Sequence, residues 1–456
     1  MTSFLVEPQT SLLAGDVTIP GDKSIGHRAL LFSLLSRTPV TLRGLGGGAD
    51  NGRTAKAIVQ LGARIDRDRD AAGDLLRVHG RGVGGLTAPA DRIDCGNSGT
   101  TIRLLTGLLA GQRFTSTLFG DESLSKRPMR RVIDPLTAMG ARIAGTAQGA
   151  DVVPPLTISP AHGPGGAGLR PLTGCNHELA IASAQVKTAL VLAGLYADGR
   201  TRISEPGPSR DHSERLLAAM GAPIRTRRGE VAVEPDGWDG ELAIDAITVP
   251  GDPSSSAFLI AAALVCGARE VACRAVCVNP TRTGFLDALA AMGAQIDVVA
   301  RAAEGGEPVA DLIVRGEAPA LLPTTIAGDL TVRAIDEVPI LAAVAARAHG
   351  TTIVADAGEL RVKESDRIAT TVSMLRAFGV EAEAQREGLV IEGHPGPLRA
   401  ARVDSEGDHR IAMAATVLAL CADGTSQIDD VANVATSFPG FVEVMRGLGA
   451  TVQVEG

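Results

Sequence analysis

A repeated change from helical to strand-like hydrophobic spacing runs along the whole chain. Six times, a helical apolar pattern ends at a glycine within the signature apolar–Gly–small–x–apolar. These glycines are Gly62, Gly140, Gly221, Gly293, Gly379 and Gly449. Successive copies are 70 to 86 residues apart, and a strand pattern follows each glycine. Because glycine readily takes the left-handed conformation that ends helices, the pattern predicts six copies of one helix–Gly–strand unit.

A second, longer repeat is superimposed on the first. The segment IPGDKS from Ile19 is echoed by VPGDPS from Val249, and an apolar helical pattern follows both. Helix–Gly–strand signatures are common in α/β proteins, but six copies at near-constant spacing together with this echo argue against coincidence. The sequence therefore predicts an α/β protein of two halves, each with three units, joined near residue 249.

Three predicted helices are apolar on nearly all sides. They begin near Ala257 (AFLIAAALV), Ile340 (ILAAVAA) and Ile411 (IAMAATVLAL). A helix without a polar face is buried. We therefore expect an inverted arrangement in which the helices lie inside each half and the strands lie outside.

Composition and net charge indicate a globular protein and argue against a nucleic-acid partner. The chain has 456 residues, which predicts two or three domains, and 45% of them are hydrophobic and 21% charged, as in globular proteins. The net charge of −8 and the scarcity of aromatic residues, 2% of the chain, argue against a nucleic-acid partner. The longest apolar runs have about a dozen residues, so no membrane span is expected.

The N-terminal segment lacks the pattern of a signal peptide, and the six cysteines form no CxxC pair. These features favour a reduced, cytoplasmic protein. The eight histidines form no HxxxH or HExxH pattern, and we expect neither a metal site nor a cofactor.

Two segments have the composition of anion sites. In PGDKSIGHR, Lys23 and Ser24 stand at a predicted helix start, and Arg28 lies one turn later on the same face. In DCGNSGTTIR from Asp94, two glycines and several small polar residues precede an apolar helix. Neither is a Walker motif, and a capped surface helix explains the first segment equally well. The GxGxxG match at Gly80–Gly85 runs into no helix and is interpreted as a loop.

The remaining charged stretches are ambiguous from pattern alone. They are SKRP from Ser125, SRDH from Ser209, RVKESDR from Arg361 and DHR from Asp408. Such runs usually form solvated faces. The pair Asp336–Glu337 differs, because it directly precedes a predicted buried helix.

Ten segments, in order, resemble motifs of the 5-enolpyruvylshikimate-3-phosphate synthase family of enolpyruvyl transferases. They are GDKSIGHR, SLSKRPM, ASAQVKTALVLAGL, SRDHSERLL, PGDPSSSAF, NPTRTG, IDEVPILAAVAA, LRVKESDR, DHRIAM and ATSFPGF. SRDHSE, NPTRTG and ATSFP are closer to the second of the family's two sequence classes. The resemblance implies a two-domain inside-out α/β barrel, in which each domain has three βαβαββ units with buried helices. The domains would be residues 21–249 and residues 1–20 plus 250–456, with the substrate cleft between them.

The resemblance also implies an activity: transfer of the enolpyruvyl group of phosphoenolpyruvate to the 5-hydroxyl of shikimate 3-phosphate, with release of phosphate. We expect a monomer that needs no cofactor. Asp336 would accept the proton of the hydroxyl, and Glu364 with Lys23 would transfer protons at the enol carbon. The residues implied to bind shikimate 3-phosphate are Lys23, Ser24, Arg28, Ser183, Gln185, Arg210, Asp336 and Lys363. Those implied to bind phosphoenolpyruvate are Lys23, Asn97, Gly99, Arg127, Gln185, Arg367 and Arg410.

One position bears on inhibition. Tolerant members of the second class have Ala where this chain has Gly99. A methyl group there would crowd an inhibitor slightly longer than phosphoenolpyruvate, so the resemblance predicts sensitivity to glyphosate.

Two alternatives remain. The related UDP-N-acetylglucosamine enolpyruvyl transferases share the fold and the donor, but typically have Cys or Asp in the loop before their phosphoenolpyruvate arginine. Here GDESLSKR from Gly120 has no Cys, and its Asp121 alone identifies neither family. A catalytically silent anion-binding paralogue is disfavoured, because binding alone would not require both Asp336 and Glu364.

Overall fold

The computed structural model describes residues 2–70, 73–161, 170–227 and 229–456. In these ranges the α-helices are α1 (Lys23–Leu34), α2 (Ala49–Gln60), α3 (Gly99–Ala110), α4 (Arg130–Ala138), α5 (Ala184–Gly194), α6 (His212–Ala219), α7 (Pro253–Cys266), α8 (Gly284–Ala291), α9 (Asp329–Ala334), α10 (Val338–Ala345), α11 (Arg367–Ala377), α12 (His409–Ala419), α13 (Val434–Ser437) and α14 (Phe441–Gly447). Short 3₁₀ turns cover Leu124–Lys126, Ile335–Glu337 and Gly358–Val362. No helix within the described residues is both long enough and apolar enough to cross a membrane.

The strands of the described ranges are β1 (Ser3–Val6), β2 (Leu13–Thr18), β3 (Val40–Arg43), β4 (Arg64–Asp70), β5 (Gly73–His79), β6 (Ile93–Asp94), β7 (Ser116–Phe119), β8 (Arg142–Gln148), β9 (Asp151–Ser159), β10 (Leu172–Thr173), β11 (Asn176–Glu178), β12 (Ala197–Asp198), β13 (Thr201–Ser204), β14 (Ile224–Arg227), β15 (Glu230–Val233), β16 (Ala246–Thr248), β17 (Ala268–Cys277), β18 (Asp297–Glu304), β19 (Glu307–Gly316), β20 (Thr325–Ile326), β21 (Gly350–Val354), β22 (Glu381–Gln385), β23 (Gly388–Gly393), β24 (Arg402–Asp404), β25 (Ser426–Asp429) and β26 (Val452–Glu455). Beside one two-stranded sheet, β10-β12, they form six four-stranded sheets.

All six four-stranded sheets have the same topology. Their strand orders are β16-β3-β5-β4, β6-β7-β9-β8, β11-β13-β15-β14, β2-β17-β19-β18, β20-β21-β23-β22 and β24-β25-β1-β26. In each sheet the first two strands are parallel, and the remaining pairs are antiparallel. The sixfold repeat predicted from the sequence is confirmed.

The six repeat glycines occupy equivalent places in these sheets. Each lies shortly before the last strand of its sheet, and its φ angle lies between +83° and +104°. Residues with side chains rarely adopt this conformation, whereas glycine adopts it without steric cost. The prediction that glycine ends each helix and starts the turn into the edge strand is confirmed.

The three helices with apolar residues on nearly all sides lie in the interior, as their composition predicts. Every residue of α10 and α12 is buried, and in α7 only Cys266 is partly exposed. Alanine is frequent at the contacts among these three helices, which allows their backbones to approach closely.

The buried hydrophobic residues form two separate cores. One core consists of buried residues between Ile25 and Val249, together with Cys277. The other consists of Phe4, Val6, Leu13 and Ile19, together with buried residues between Ala257 and Val452. The chain passes between the cores where Gly21 and Gly251 form a backbone bridge. A Cβ atom on Gly21 would lie 1.8 Å from the carbonyl oxygen of Gly44, so this crossing requires glycine.

A buried charge in α5 yields a stability prediction. Nζ of Lys187 lies 2.8 Å from a carboxylate oxygen of both Glu205 and Glu214, and all three side chains are less than a tenth exposed. We expect Lys187→Met to leave two unpaired buried carboxylates and to lower the free energy of unfolding by about 3–5 kcal/mol. Urea denaturation measures this loss.

Lys126 provides the matched control, since its ion pair with Glu122 is largely exposed. We expect Lys126→Met to change the free energy of unfolding by less than about 1 kcal/mol. Equal losses in the two variants would contradict the account of the buried triad.

Candidate active site

The N-terminal turns of eight helices meet at a cleft between the two cores. Residues in the first turn of α1, α2, α3, α4, α5, α7, α11 and α12 line it. Nine lysine and arginine side chains and five carboxylates line the same cleft, an excess of four positive charges in a protein of net charge −8. Helix N-termini and cations both stabilise negative charge, so the cleft is built to hold anions.

The cleft has two connected lobes. The inner lobe has a volume of about 130 Å³, and the outer lobe has about 730 Å³. Gln185, Arg210, Asp336 and Lys363 line both lobes, whereas Ser183 lines only the outer one. The dimensions suit two small ligands that meet near Asp336.

Asp336 lies where the two lobes meet, in the 3₁₀ turn before α10. Its Oδ2 accepts a hydrogen bond from Arg210, and its Oδ1 lies 3.4 Å from Nη1 of Arg367 and 3.7 Å from Nζ of Lys363. Nη1 of Arg410 donates to the main-chain oxygen of Asp336 at 2.8 Å. Burial alone would raise the pKa of Asp336, but these four cations outweigh it and hold the pKa well below its ordinary value.

Glu364 contacts Nη2 of Arg367, whereas Asp336 lies near Nη1 of the same guanidinium. Its Oε2 lies 2.6 Å from Nη2 of Arg367, and its Oε1 lies 3.9 Å from Nη2 of Arg127. Burial would raise the pKa of Glu364, yet Arg367 and Arg127 hold it well below the ordinary value. The cleft therefore contains two ionised carboxylates, each held by arginines.

The inner lobe is organised around α3. Nη2 of Arg127 donates to Oδ1 of Asn97 at 2.8 Å, and Nη1 of Arg103 donates at 3.2 Å to the carbonyl oxygen of Gly99 and to Oε1 of Gln185. Two arginines from different elements thus point at the same helix start. Planar guanidinium groups bind carboxylate and phosphate with two parallel hydrogen bonds.

Lys23 completes the inner lobe from α1. Its Nζ lies 3.2 Å from Oδ2 of Asp50, and Asp22 caps the helix by accepting a hydrogen bond from the main-chain nitrogen of Ile25 at 2.8 Å. The predicted helix start at Lys23 is confirmed. With these residues the structure brings Lys23, Asp336 and Glu364 to the wall of one cleft.

Arg28 differs from the other predicted site residues, because it does not line the cleft. Its guanidinium is buried and donates to Oγ of Ser213 at 2.6 Å, to the carbonyl oxygen of Ser24 at 2.9 Å and to Oγ1 of Thr188 at 3.1 Å. In this arrangement Arg28 stabilises the main chain of Ser24 and does not itself reach the cleft. Its direct contact with a substrate stays a prediction.

The charged stretches, ambiguous from pattern alone, do not all form solvated faces, because two of them place a buried arginine in the cleft wall. Arg367 is 1% exposed and Arg410 is 7% exposed. Nε of Arg367 lies 2.8 Å from Oδ2 of Asp408, which also caps α12 through the main-chain nitrogen of Arg410. Charge density along the chain could not distinguish these buried networks from exposed runs, because their partners lie far away in sequence.

Sequence reasoning also missed several residues of the cleft wall. They are Asp50, Thr100, Arg103, Arg131, Asp252, Ser254, Arg282, Glu359 and His409. Arg282 joins the two halves: its Nη1 lies 2.8 Å from Oδ2 of Asp22, and its Nη2 lies 3.2 Å from Oδ1 of Asp252. These two aspartates are the N-caps of α1 and α7. The echoed PGD segments contained the signal, since their aspartates are equivalent.

Within the part of the chain that the structure describes, one group of possible metal ligands occurs, and its residues do not line the cleft. Asp211, His212 and Glu307 place ligand atoms within 4.8 Å of one another. Nδ2 of Asn279 donates to both carboxylates at 2.7 Å, and Nε of Arg215 lies 2.9 Å from Asp211. Hydrogen-bond donors already satisfy both carboxylates, whereas Nε2 of His212 is buried without a hydrogen-bond partner among the described residues. Histidine spacing gave no sign of this group.

Comparison with known proteins agrees with this geometry. Residues 8–445 match the profile of the family EPSP synthase (3-phosphoshikimate 1-carboxyvinyltransferase). A 3-phosphoshikimate 1-carboxyvinyltransferase of Geobacter sulfurreducens is 47% identical over 98% of this chain and 99% of its own, and one of Acidithiobacillus ferrooxidans is 48% identical over 100% and 99%. The structure of EPSP synthase from Acinetobacter baumannii superposes with a TM-score of 0.85 at 38% identity, covering both chains completely. The chain belongs to the EPSP synthase family, the 3-phosphoshikimate 1-carboxyvinyltransferases.

Proposed function

We propose that the cleft transfers the enolpyruvyl group of phosphoenolpyruvate to the 5-hydroxyl of shikimate 3-phosphate and releases phosphate, a step of the shikimate pathway to chorismate and the aromatic amino acids. The excess of positive charge around two ionised carboxylates carries this proposal. Each substrate has one phosphate and one carboxylate, so the pair requires many cations. The reaction also requires proton transfer at the acceptor hydroxyl and at the enol carbon, and each of the two carboxylates can serve one of these transfers.

The inner lobe suits the donor. We assign phosphoenolpyruvate to Lys23, Asn97, Gly99, Arg127, Gln185, Arg367 and Arg410. Arg127 and Arg367 both contact Glu364, so a donor held by these arginines would place its enol carbon close to that carboxylate. Positioning of this kind supplies much of the rate enhancement in group transfer.

The outer lobe suits the acceptor. We assign shikimate 3-phosphate to Ser183, Gln185, Arg210, Asp336 and Lys363 of the outer lobe and to Lys23 and Ser24, which reach it from the inner lobe. Arg210 and Lys363 reach Asp336 from opposite halves and would pair with the acceptor's anionic groups once it enters. Asp336 would then face the 5-hydroxyl, within reach for a general base.

The chemistry proceeds by addition and elimination. Asp336 removes the hydroxyl proton, the oxygen bonds to C2 of phosphoenolpyruvate, and the electrons of the double bond take a proton at C3 from Glu364 or Lys23. The tetrahedral intermediate then returns a proton from C3 to the deprotonated Glu364 or Lys23 as its C–O bond to phosphate breaks, which restores the double bond and releases phosphate. The arginines that lower the pKa of Glu364 would pair with the donor instead, so donor binding would raise this pKa and enable proton donation.

The larger architecture is part of the proposal. We assign residues 21–249 to one domain and residues 1–20 plus 250–456 to the other, each an inside-out α/β barrel of three units. The two separate cores and the three sheets in each half support this division. The cleft wall drawn from both halves supports closure of the domains around the substrates. A monomeric state, a cytoplasmic location and independence of cofactors stay predictions.

Gly99 yields a prediction about inhibitor size. A Cβ atom there would lie 2.6 Å from Nη1 of Arg103 and 3.1 Å from Nη1 of Arg127, so both arginine ends must shift. We expect Gly99→Ala to raise the KM for phosphoenolpyruvate about 3–10-fold and the inhibition constant of glyphosate about 100-fold, because each tenfold step needs only about 1.4 kcal/mol. Steady-state inhibition kinetics measure both constants.

Gly52→Ala is the matched control, because its added Cβ meets no atom of the described residues within 4 Å. This variant should keep the wild-type constants. A parallel rise of both constants in Gly99→Ala, or wild-type inhibition only at millimolar glyphosate, would contradict the crowding argument.

Phosphate release from phosphoenolpyruvate tests the choice of acceptor. Shikimate 3-phosphate and UDP-N-acetylglucosamine are compared in parallel at equal concentration. We expect release with shikimate 3-phosphate only. Release only with the sugar nucleotide would assign the chain to the sister activity, and release with neither would indicate a silent anion-binding protein.

A further inference from the structure

Two thiols meet at the far ends of two helices that begin in the cleft. Cys266 is the last residue of α7, and Cys421 lies two residues beyond the end of α12. Their Sγ atoms are 3.9 Å apart although the residues are 155 positions apart in sequence. The opposite ends of these helices place Ser254 and Arg410 in the cleft wall, so the thiol pair lies away from the proposed chemistry.

The geometry permits a covalent bond between the two sulfurs. A disulfide bond is about 2.05 Å long, so the sulfurs must approach by roughly 2 Å. Both residues lie at helix ends, where the backbone is less constrained than within a helix. Rotation of the side chains with a small adjustment at these ends brings the sulfurs together.

Both thiols are accessible, and one of them, Cys421, is activated, whereas the hydrogen bond to Cys421 and burial raise the pKa of Cys266. Both residues are partly exposed, whereas Cys95, Cys273 and Cys277 are buried. A hydrogen bond from the Cys266 thiol lowers the pKa of Cys421, and nearby Arg347 lowers it further, against the opposite effect of burial. The thiolate is the attacking form in disulfide exchange.

A surface cavity of about 270 Å³ lies next to residues that contact the thiol pair, although neither thiol lines it. It is lined by Val265, the neighbour of Cys266, and by Arg347. Sγ of Cys421 lies 3.8 Å from the carbonyl oxygen of Val265. The same arginine thus borders the cavity and stabilises the Cys421 thiolate.

We propose that Cys266 and Cys421 form an oxidation site, which a small disulfide converts into an intrachain disulfide. The Cys421 thiolate attacks one sulfur of the small disulfide, forms a mixed disulfide and releases one thiolate. The Cys266 thiol loses its proton and attacks the Cys421 sulfur, which releases the second thiolate. The two protein thiols are oxidised by two electrons, and the small disulfide is reduced to two thiols.

Peptide mapping of the full-length protein tests this proposal. The protein is incubated with glutathione disulfide, quenched in acid, alkylated in denaturant and digested without reduction. We expect a linked pair of peptides containing Cys266 and Cys421, which separates after treatment with dithiothreitol. Because the map is made on the wild-type chain, the result does not depend on the folding of a variant, and it is independent of the proposed function.

Cys175 is the internal control, since it is partly exposed but its Sγ contacts the carbonyl oxygens of Ala138 and Thr173. Cys175 should carry at most a glutathione adduct. The linked peptides should disappear in Cys421→Ser and Cys266→Ser and persist in Cys175→Ser. Full alkylation of Cys266 and Cys421 after oxidation, or stable glutathione adducts on them without a link, would overturn the proposal.

Discussion

Asp336→Asn is expected to lower kcat by about 10³–10⁴-fold, since removal of a general base commonly costs up to about 10⁴-fold. Asparagine keeps the shape of the side chain but cannot accept the hydroxyl proton. It also removes the negative charge held by Arg210, Arg367 and Lys363. Steady-state kinetics with saturating substrates measure the effect, because binding losses are then separated from the loss in turnover.

Glu359→Gln is the matched control for this variant. Glu359 is a carboxylate of the same cleft wall, 3.5 Å from Arg131 and 3.9 Å from Lys363. It has no proton-transfer role in the proposal, so its loss should cost less than about tenfold in kcat. If Asp336→Asn retained turnover within tenfold of the wild type, the assignment of the base would be wrong.

Glu364→Gln is expected to lower kcat about 10²–10³-fold, within the range of general acid catalysis. The amide cannot deliver a proton to C3 of the donor, although Lys23 remains nearby to provide residual activity. The KM for phosphoenolpyruvate should change little, because Arg127 and Arg367 stay in place. Turnover and KM are measured in the same titration.

Glu122→Gln serves as the control, since this glutamate is largely exposed and forms an exposed ion pair with Lys126. It should behave as the wild type. A large rise in KM at unchanged kcat in Glu364→Gln would show that the carboxylate organises the donor arginines instead of transferring a proton.

The repeat and the glycine turns were predictable because local interactions determine them. The φ angle of Gly293, for example, follows from the end of α8 and the start of β18, only a few residues apart. The burial of α10 follows equally from its own composition. Such features need no knowledge of distant parts of the chain.

The site was predictable only in part. The resemblance identified many of the residues that line the cleft but missed others, and it also included Arg28, whose guanidinium donates to the carbonyl oxygen of Ser24 and does not line the cleft. Arg282 was missed because its role depends on contact with Asp22, 260 residues away in sequence. Long-range contacts of this kind arise when the two halves pack together. The spacing of residues along the chain does not show which residues will pair.

The burial of charged side chains was likewise not predictable from the sequence pattern. Arg367 and Arg410 looked like members of exposed runs, but each pairs with groups brought from other elements. A buried arginine needs several partners to offset desolvation, and those partners are recognisable only once the fold is known. Pattern analysis therefore predicted the architecture better than the electrostatics of the site.

The most direct test of the account is mass spectrometry of the product formed in D₂O from phosphoenolpyruvate and shikimate 3-phosphate. Protonation and deprotonation at C3 predict a carboxyvinyl product with deuterium in its methylene group. Glu364→Gln should form this product more slowly, with the deuterium still present. Absence of the carboxyvinyl product, or a product free of deuterium, would contradict the proposed addition and elimination in this cleft.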